Sequence, residues 1–326
     1  MQQLEQQLIR TRGVLRRAWS RMGTTNPDLV APARLVLQFD DSDLPQSTGA
    51  GEPLSVDEWQ DAIASVVEWL GPLPVTVIAT HNTADPAVRS LIRFAHRLEC
   101  ETLLVTDGTG VNSALAESLI GSGLVGIRLL IGGVSDEIQT QTVGNLATDA
   151  TGAVAAFLGA RDELGAKLDV ELAIPWVDGV TAELTAIVGW AQQAGVDGFR
   201  LVAPYRASKL PADPELLDGV IDAAGGFCRN QPTGVEELHA MVAHQDGAPG
   251  LSRDRARRGF KCPVAGQRIV IGRRRNVYSC PFKPAIGELH GDLGRVWAGA
   301  ADHLNRIADC RRACVHTELA PEPIFG

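Results

Sequence analysis

Apolar and polar positions along the chain fall into a repeated two-part pattern. Short runs rich in Val, Ile and Leu occupy 34–39, 75–80, 102–106, 126–131, 169–174 and 198–202. Their continuous apolar character is that of strands buried on both faces. Between them, 56–70, 86–98, 112–122, 146–164 and 181–194 are long enough for helices. Local signals agree. Ser55 with Glu58 three residues later forms a capping box, and Asn112, Thr181 and Asp85 before Pro86 are helix starts. Gly165 and Gly195 are helix stops. Six βα units in succession imply a parallel sheet, either open and doubly wound or curled into a complete or partial barrel. In both cases ligands bind at the C-terminal strand ends. There stand Asp40, Asp41, Asp43, His81, Asn82, Asp107, Gly132, Gly133, Trp176, Asp178, Tyr205 and Arg206. No Gly-rich dinucleotide fingerprint follows the first strand, and no phosphate-loop motif is present.

The flanks differ from this pattern. Residues 1–22 read as a basic helix, with Leu4, Leu8, Ile9, Leu15 and Trp19 on one side. It either packs on the body or docks a partner or peptide. After Lys209 a further helix at 211–224 gives way to a loop-rich stretch, 225–260. From Arg253 to Arg275 basic residues far outnumber the single acid, Asp254. Arg255, Arg257, Arg258, Arg273, Arg274 and Arg275 form either a solvated basic face or a surface for an acidic partner, peptide or anion. The expected domains are a helical extension at 1–32, a barrel at 33–225 and a small C-terminal α+β unit at 226–326.

Composition narrows the function classes. With 326 residues, 45% of them hydrophobic and 21% charged, the chain is an ordinary globular one. No apolar run is long enough for a transmembrane helix, and the first residues lack the apolar stretch of a secretory signal. A cytoplasmic protein without membrane contact is expected. A net charge of −9 argues against nucleic-acid binding by the whole molecule. All but four of the 30 basic residues are Arg, and only Lys209 lies near a strand end, so Schiff-base chemistry is not expected.

Cysteine usage is lopsided. None of the six precedes Cys100, and four lie near the end with the spacing Cys262-x17-Cys280-x29-Cys310-x3-Cys314. Without an export signal such a cluster reads as metal binding. The first two flank an expected hairpin at 268–279, and the last two are close enough for one turn to present both. Four thiolates in two pairs suit an iron–sulfur cluster, with structural zinc as the alternative. Cys100 reads as a packing residue, and Cys228 stays open as an extra ligand.

Several segments resemble the radical S-adenosylmethionine (radical SAM) superfamily with a SPASM/twitch-type auxiliary domain. The run LLVTDGTGVNSALAESLIGSGLVGIRLLIGGV (103–134) is similar to the family's third strand, its Thr-Asn-Gly-Thr turn, a helix and the fourth strand. LSVDEW (54–59) is similar to the start of its first helix. RRRNVYSC (273–280) leading into AIGELHGDLGRVWAGAADHLNRIADCRRAC (285–314) is similar to the auxiliary hairpin, Trp-bearing helix and terminal cysteine pair. The resemblance implies a partial (β/α)6 TIM-like barrel followed by a small Cys-rich domain. It also implies one auxiliary [4Fe–4S] cluster held by Cys262, Cys280, Cys310 and Cys314.

The departures are as informative. The family's loop after the first strand carries C-x3-C-x2-C, which holds the SAM-cleaving cluster. Here that segment reads LVLQFDDSDLPQSTGAGEPLS and has no cysteine. Its Gly-Gly-Glu-Pro turn is replaced by THNTADP, and Asp107 stands where the family has Asn. Arg275 replaces a Gly, and the last cysteine pair is one residue wider than usual. The expectation is a catalytically degenerate subunit that does not cleave SAM. It would bind an active maturase, a peptide substrate, or both. Two alternatives stand beside it. One is a barrel enzyme with a divalent cation at Asp40, Asp41, Asp43, His81 and Asp107. The other is an iron–sulfur electron-transfer subunit.

Overall fold

A computed structural model describes residues 32–39, 52–79, 81–175, 178–202, 219–220, 224–227, 268–279, 285–289 and 292–300. Six strands are parallel and alternate with helices. They are β1 (Arg34–Gln38), β2 (Val75–Ile78), β3 (Thr102–Thr106), β4 (Leu124–Leu130), β5 (Asp169–Pro175) and β6 (Gly198–Val202). Each pairs with the next in chain order, from Leu35 opposite Val75 through to Leu172 opposite Phe199. The helices are α1 (Val56–Leu70), α2 (Pro86–Arg97), α3 (Ser113–Ile120), α4 (Asp136–Thr142), α5 (Ala147–Leu164), α6 (Asp178–Thr181) and α7 (Leu184–Ala194).

The two sheet faces have different chemistry. Leu35, Leu37, Val75, Val77, Ile127, Leu129, Val170 and Leu172 point outward into a continuous core with Trp59, Ile63, Val66, Leu91, Ile92, Phe157 and Ile187 from the helices. The inner face carries a small apolar patch, Val36, Ile78, Val270 and Tyr278, beside buried polar residues. The sheet curls around that inner face. Arg34 on β1 is electrostatically coupled to Arg128 and Arg200, on strands three and five places away. A flat sheet would separate those strands by about 14 and 24 Å. This is the partial barrel that the family resemblance implies, one of the arrangements the strand pattern leaves open.

Helix ends follow local chemistry. The Ser55–Glu58 capping box forms, Asn112 caps α3, and Asp85 caps α2 with Pro86 in its first turn. Gly165 and Gly195 end α5 and α7 in the left-handed conformation. Two details differ from the sequence reading. The expected 181–194 helix is split: Thr181 ends α6, and α7 begins after Glu183, whose side chain bonds the loop after β4 instead of capping. Helix α4 is additional, a short polar helix capped by Ser135.

Beyond the barrel, β7 (Arg268–Gly272), β8 (Asn276–Tyr278) and β9 (Gly287–Glu288) extend the sheet on the free edge of β1. β7 runs parallel to β1, with Arg34 opposite Arg268 and Val36 opposite Val270. β8 returns antiparallel, with Val270 opposite Tyr278. The expected hairpin is therefore present, and it joins the barrel sheet. Helix α8 (Leu293–Gly299) buries Trp297 against Trp69 of α1, their ring centroids 6.5 Å apart.

The hairpin turn is latched to the barrel. Arg273 O accepts from Leu54 N at 2.9 Å, and Arg275 O accepts from Leu289 N at 2.6 Å. Arg275 adopts φ 70°, a conformation that favours Gly, and its guanidinium pairs with Glu58. That ion pair gives a reason for Arg at a strained position. The Ser55 backbone N–H and Arg275 draw the Glu58 carboxyl down to about 2. A carboxyl with a lowered folded pKa contributes fully above its ordinary range and loses that contribution as pH falls through 4.5 towards 2. Arg275→Gln is therefore expected to flatten this acid limb of the stability curve, measured by urea unfolding between pH 5 and pH 2. Ser55→Ala is expected to cost about 1 kcal/mol in the same assay at neutral pH.

Candidate functional site

The C-terminal ends of β2 and β3 bring two of the singled-out residues together. His81 follows β2 and Asp107 follows β3. His81 Nδ1 donates to Asp107 Oδ2 at 2.6 Å. Asp107 is fully buried, whereas half of the His81 side chain is exposed. The carboxylate accepts, so Nδ1 is the donor in this bond. Asp107 Oδ1 takes the Thr109 N–H at 2.9 Å, and Asp107 O accepts from Asn145 Nδ2 at 2.7 Å. Thr83 Oγ1 donates to Ala79 O at 3.1 Å, so Thr106 Oγ1 must supply the proton in the Thr83–Thr106 pair. Thr106 also accepts the Gly108 N–H at 3.1 Å. The dyad is thus held from below by a connected polar network.

The end of β4 is also internally satisfied. Gln139, fully buried, accepts from Gly132 N at 2.7 Å and from Gly133 N at 3.1 Å. Its amide donates to Asn145 Oδ1 at 2.7 Å. Glu183 accepts from Val134 N at 2.7 Å and Ser135 N at 3.2 Å. Burial pushes its carboxyl up, but a bond from the Ser135 hydroxyl together with these backbone bonds outweighs burial, and the net shift is downward. A side chain at Gly132 would sit 1.8 Å from Thr142 Oγ1. The glycine is therefore required by the close approach of α4. The strand-end amides are engaged by the protein's own side chains.

Of the sequence-derived cation site, His81 and Asp107 meet, while Asp40, Asp41 and Asp43 lie outside the described residues. Among the described residues no group of three or more His, Cys, Asp or Glu side chains is placed to hold a metal ion. Cys262, Cys280, Cys310 and Cys314 also lie outside the described residues, as do Cys228, Arg255, Arg257 and Arg258. Arg273, Arg274 and Arg275 are half-buried in the hairpin turn, with Arg275 committed to Glu58.

A SAM-cleaving cluster does not fit the described mouth. Such a cluster needs soft thiolates. The described cysteine, Cys100, lies just before β3, at the opposite end of the barrel, with its thiol 3.8 Å from Leu98 O. Burial raises its pKa, so it is a neutral packing thiol. The mouth itself offers nitrogen and oxygen donors.

Charge inside the barrel was not singled out from the sequence. Glu171 on β5 accepts from Arg128 Nη2 on β4 and from Arg200 Nε on β6, both at 3.0 Å. All three are buried, together with Arg34 and Arg268. Burial raises the Glu171 carboxyl, but Arg128 and Arg200 outweigh it and the net shift is downward. One signal was available: a charged residue in the middle of a mainly apolar, doubly buried strand, as Arg128 in β4 and Arg200 in β6.

Solved structures share this architecture. Streptococcus suis SuiB bound to S-adenosylmethionine matches with a TM-score of 0.55 at 14% identity, covering 77% of this chain and 58% of SuiB. The chain thus spans little more than half the length of that protein. SuiB bound to precursor peptide SuiA matches with a TM-score of 0.57 at 13% identity, covering 85% of this chain and 65% of SuiB. Native anSMEcpe with bound AdoMet matches with a TM-score of 0.57 at 11% identity, covering 85% of this chain and 83% of that one. The chain therefore shares the fold of these S-adenosylmethionine-bound structures. No family model and no curated protein matches the chain. Among the described residues no helix is long and apolar enough to cross a membrane.

Proposed function

We propose that the chain is a catalytically degenerate radical-SAM-like subunit that binds an active maturase, a peptide substrate, or both. The observation that carries this reading is a radical-SAM-type barrel whose β1-end loop has no cysteine. The end groups of β3 and β4 are held by Gln139, Asn145 and Glu183, which supports a scaffold role for this rim. The peptide in SuiB supports a peptide substrate. Cys262, Cys280, Cys310 and Cys314 would hold one auxiliary [4Fe–4S] cluster, which would supply structural reinforcement or one-electron relay; zinc is the alternative occupant. The test is 5′-deoxyadenosine formation from SAM under anaerobic dithionite reduction. None above the protein-free background is expected, and sustained turnover by the purified chain would overturn the reading.

The His81–Asp107 dyad favours a second reading, a divalent cation at the mouth. The buried carboxylate orients the imidazole through Nδ1, as it does in metal sites. Calorimetric titration with Zn2+ and Mn2+ discriminates. A stoichiometric site lost in His81→Ala, but kept when Cys310 and Cys314 are both replaced by Ala, would establish it. Absence of any such site removes it.

A further inference from the structure

Four arginines enter the lumen: Arg34 from β1, Arg128 from β4, Arg200 from β6 and Arg268 from β7. None is more than 6% exposed. Glu171 is shared by Arg128 and Arg200. Asp169, two residues earlier on the same face of β5, is half-buried. Counting both acids, guanidiniums outnumber carboxylates two to one among the described residues of this face. Among the described residues, Arg34 Nε and Arg268 Nε and Nη1 have no hydrogen-bond partner. Neither does Gln38 Nε2, four residues further along the same face of β1.

Guanidinium stays protonated at physiological pH, so these positive charges cannot be shed. Burying them without a counter-charge carries a large free-energy cost. The strain is visible at Arg34. Burial, then Arg128, Arg200 and Arg268, pull its pKa down to about 10, and Glu171 only partly opposes them. Arg34 and Arg268 are the first residues of adjacent parallel strands and pair in register. They therefore stand at the end of the barrel opposite the His81–Asp107 mouth. Two neighbouring forks of N–H donors match the oxygens of a carboxylate or phosphate, which a halide cannot do bidentately.

We propose that the barrel lumen binds a small polyvalent oxyanion, a carboxylate- or phosphate-bearing ligand, through Arg34 and Arg268. The site uses no SAM, cluster or mouth residue, so it stands or falls independently of the proposed function.

Thermal unfolding of the full chain tests it, with inorganic phosphate and citrate titrated against sodium chloride at matched ionic strength. A saturable rise in Tm beyond the chloride effect is expected. A response to phosphate alone identifies a phosphoryl ligand, to citrate alone a polycarboxylate, and to both the shared chemistry. Arg34→Met and Arg268→Met are each expected to raise Tm in anion-free buffer, because an uncompensated buried charge is removed. Each should also weaken the apparent anion affinity by about tenfold or more. Arg275→Gln, in the hairpin turn, should leave the response intact. No saturable rise in the wild type, or a response unchanged in the Met variants, would overturn the proposal. Should a Met variant fail to fold, Arg268→Lys, which keeps the charge and loses the fork, must still weaken the response.

Discussion

Glu171→Gln is expected to be among the most damaging single substitutions in the barrel, costing about 3–5 kcal/mol in equilibrium urea unfolding. Its carboxylate is the described acceptor that Arg128 and Arg200 hold in common, at 3.0 Å from each. Glutamine keeps the size and one acceptor oxygen but removes the negative charge. The lumen would then hold four buried guanidiniums with Asp169 as the remaining described acid on that face of β5. A typical domain has a stability of only about 5–15 kcal/mol, so a loss of this size removes a large share of it. The contrast with Arg34→Met gives the prediction its sign. Removing the acid destabilises, and removing Arg34, whose Nε has no hydrogen-bond partner among the described residues, stabilises. A generic polar layer with no charge imbalance would lose stability in both. Acid should mimic the Glu171 substitution. The folded carboxyl titrates below its ordinary range, so its contribution is complete above that range and disappears as pH falls beneath it.

Much of the barrel was legible because local and global signals coincide. The 56–70 helix was read to the residue, since a capping box starts it and Gly71 follows its last turn. The strands at 102–106 and 198–202 were likewise read correctly, because each is a short apolar run between turn-forming residues. The strand-end rule placed His81 and Asp107 at one mouth before any contact between them was known. What escaped is non-local. The parallel pairing of β7 with β1 joins residues more than two hundred positions apart and leaves no periodicity to read. Arg34, Arg128, Glu171, Arg200 and Arg268 were hidden for a related reason. Each is a charge in or at the start of a mainly apolar run, and which face it occupies depends on register with neighbours that are distant in sequence. Helix α4 was missed because its sequence is polar and short, and it is anchored by Gln139 to the β4 loop instead of by an apolar stripe.

The strongest expected effect concerns iron. The resemblance to the radical SAM superfamily implies that a fully active enzyme would carry both a SAM-cleaving cluster and any auxiliary one. Under the proposed function the thiolates of this chain serve an auxiliary cluster alone, because no cysteine precedes Cys100 and Cys100 is a buried, neutral thiol. Oxygen and nitrogen donors at the mouth do not substitute for thiolates toward a soft cluster. Replacing Cys310 and Cys314 should therefore empty the protein of iron, instead of halving its content.

The decisive measurement is iron and acid-labile sulfide per chain, with a visible spectrum, on anaerobically purified protein and on the variant carrying Cys310→Ala and Cys314→Ala. The expected result is about four irons and about four sulfides per chain, all lost in the variant. About eight irons, or a cluster that survives in the variant, would contradict a barrel without a cluster of its own.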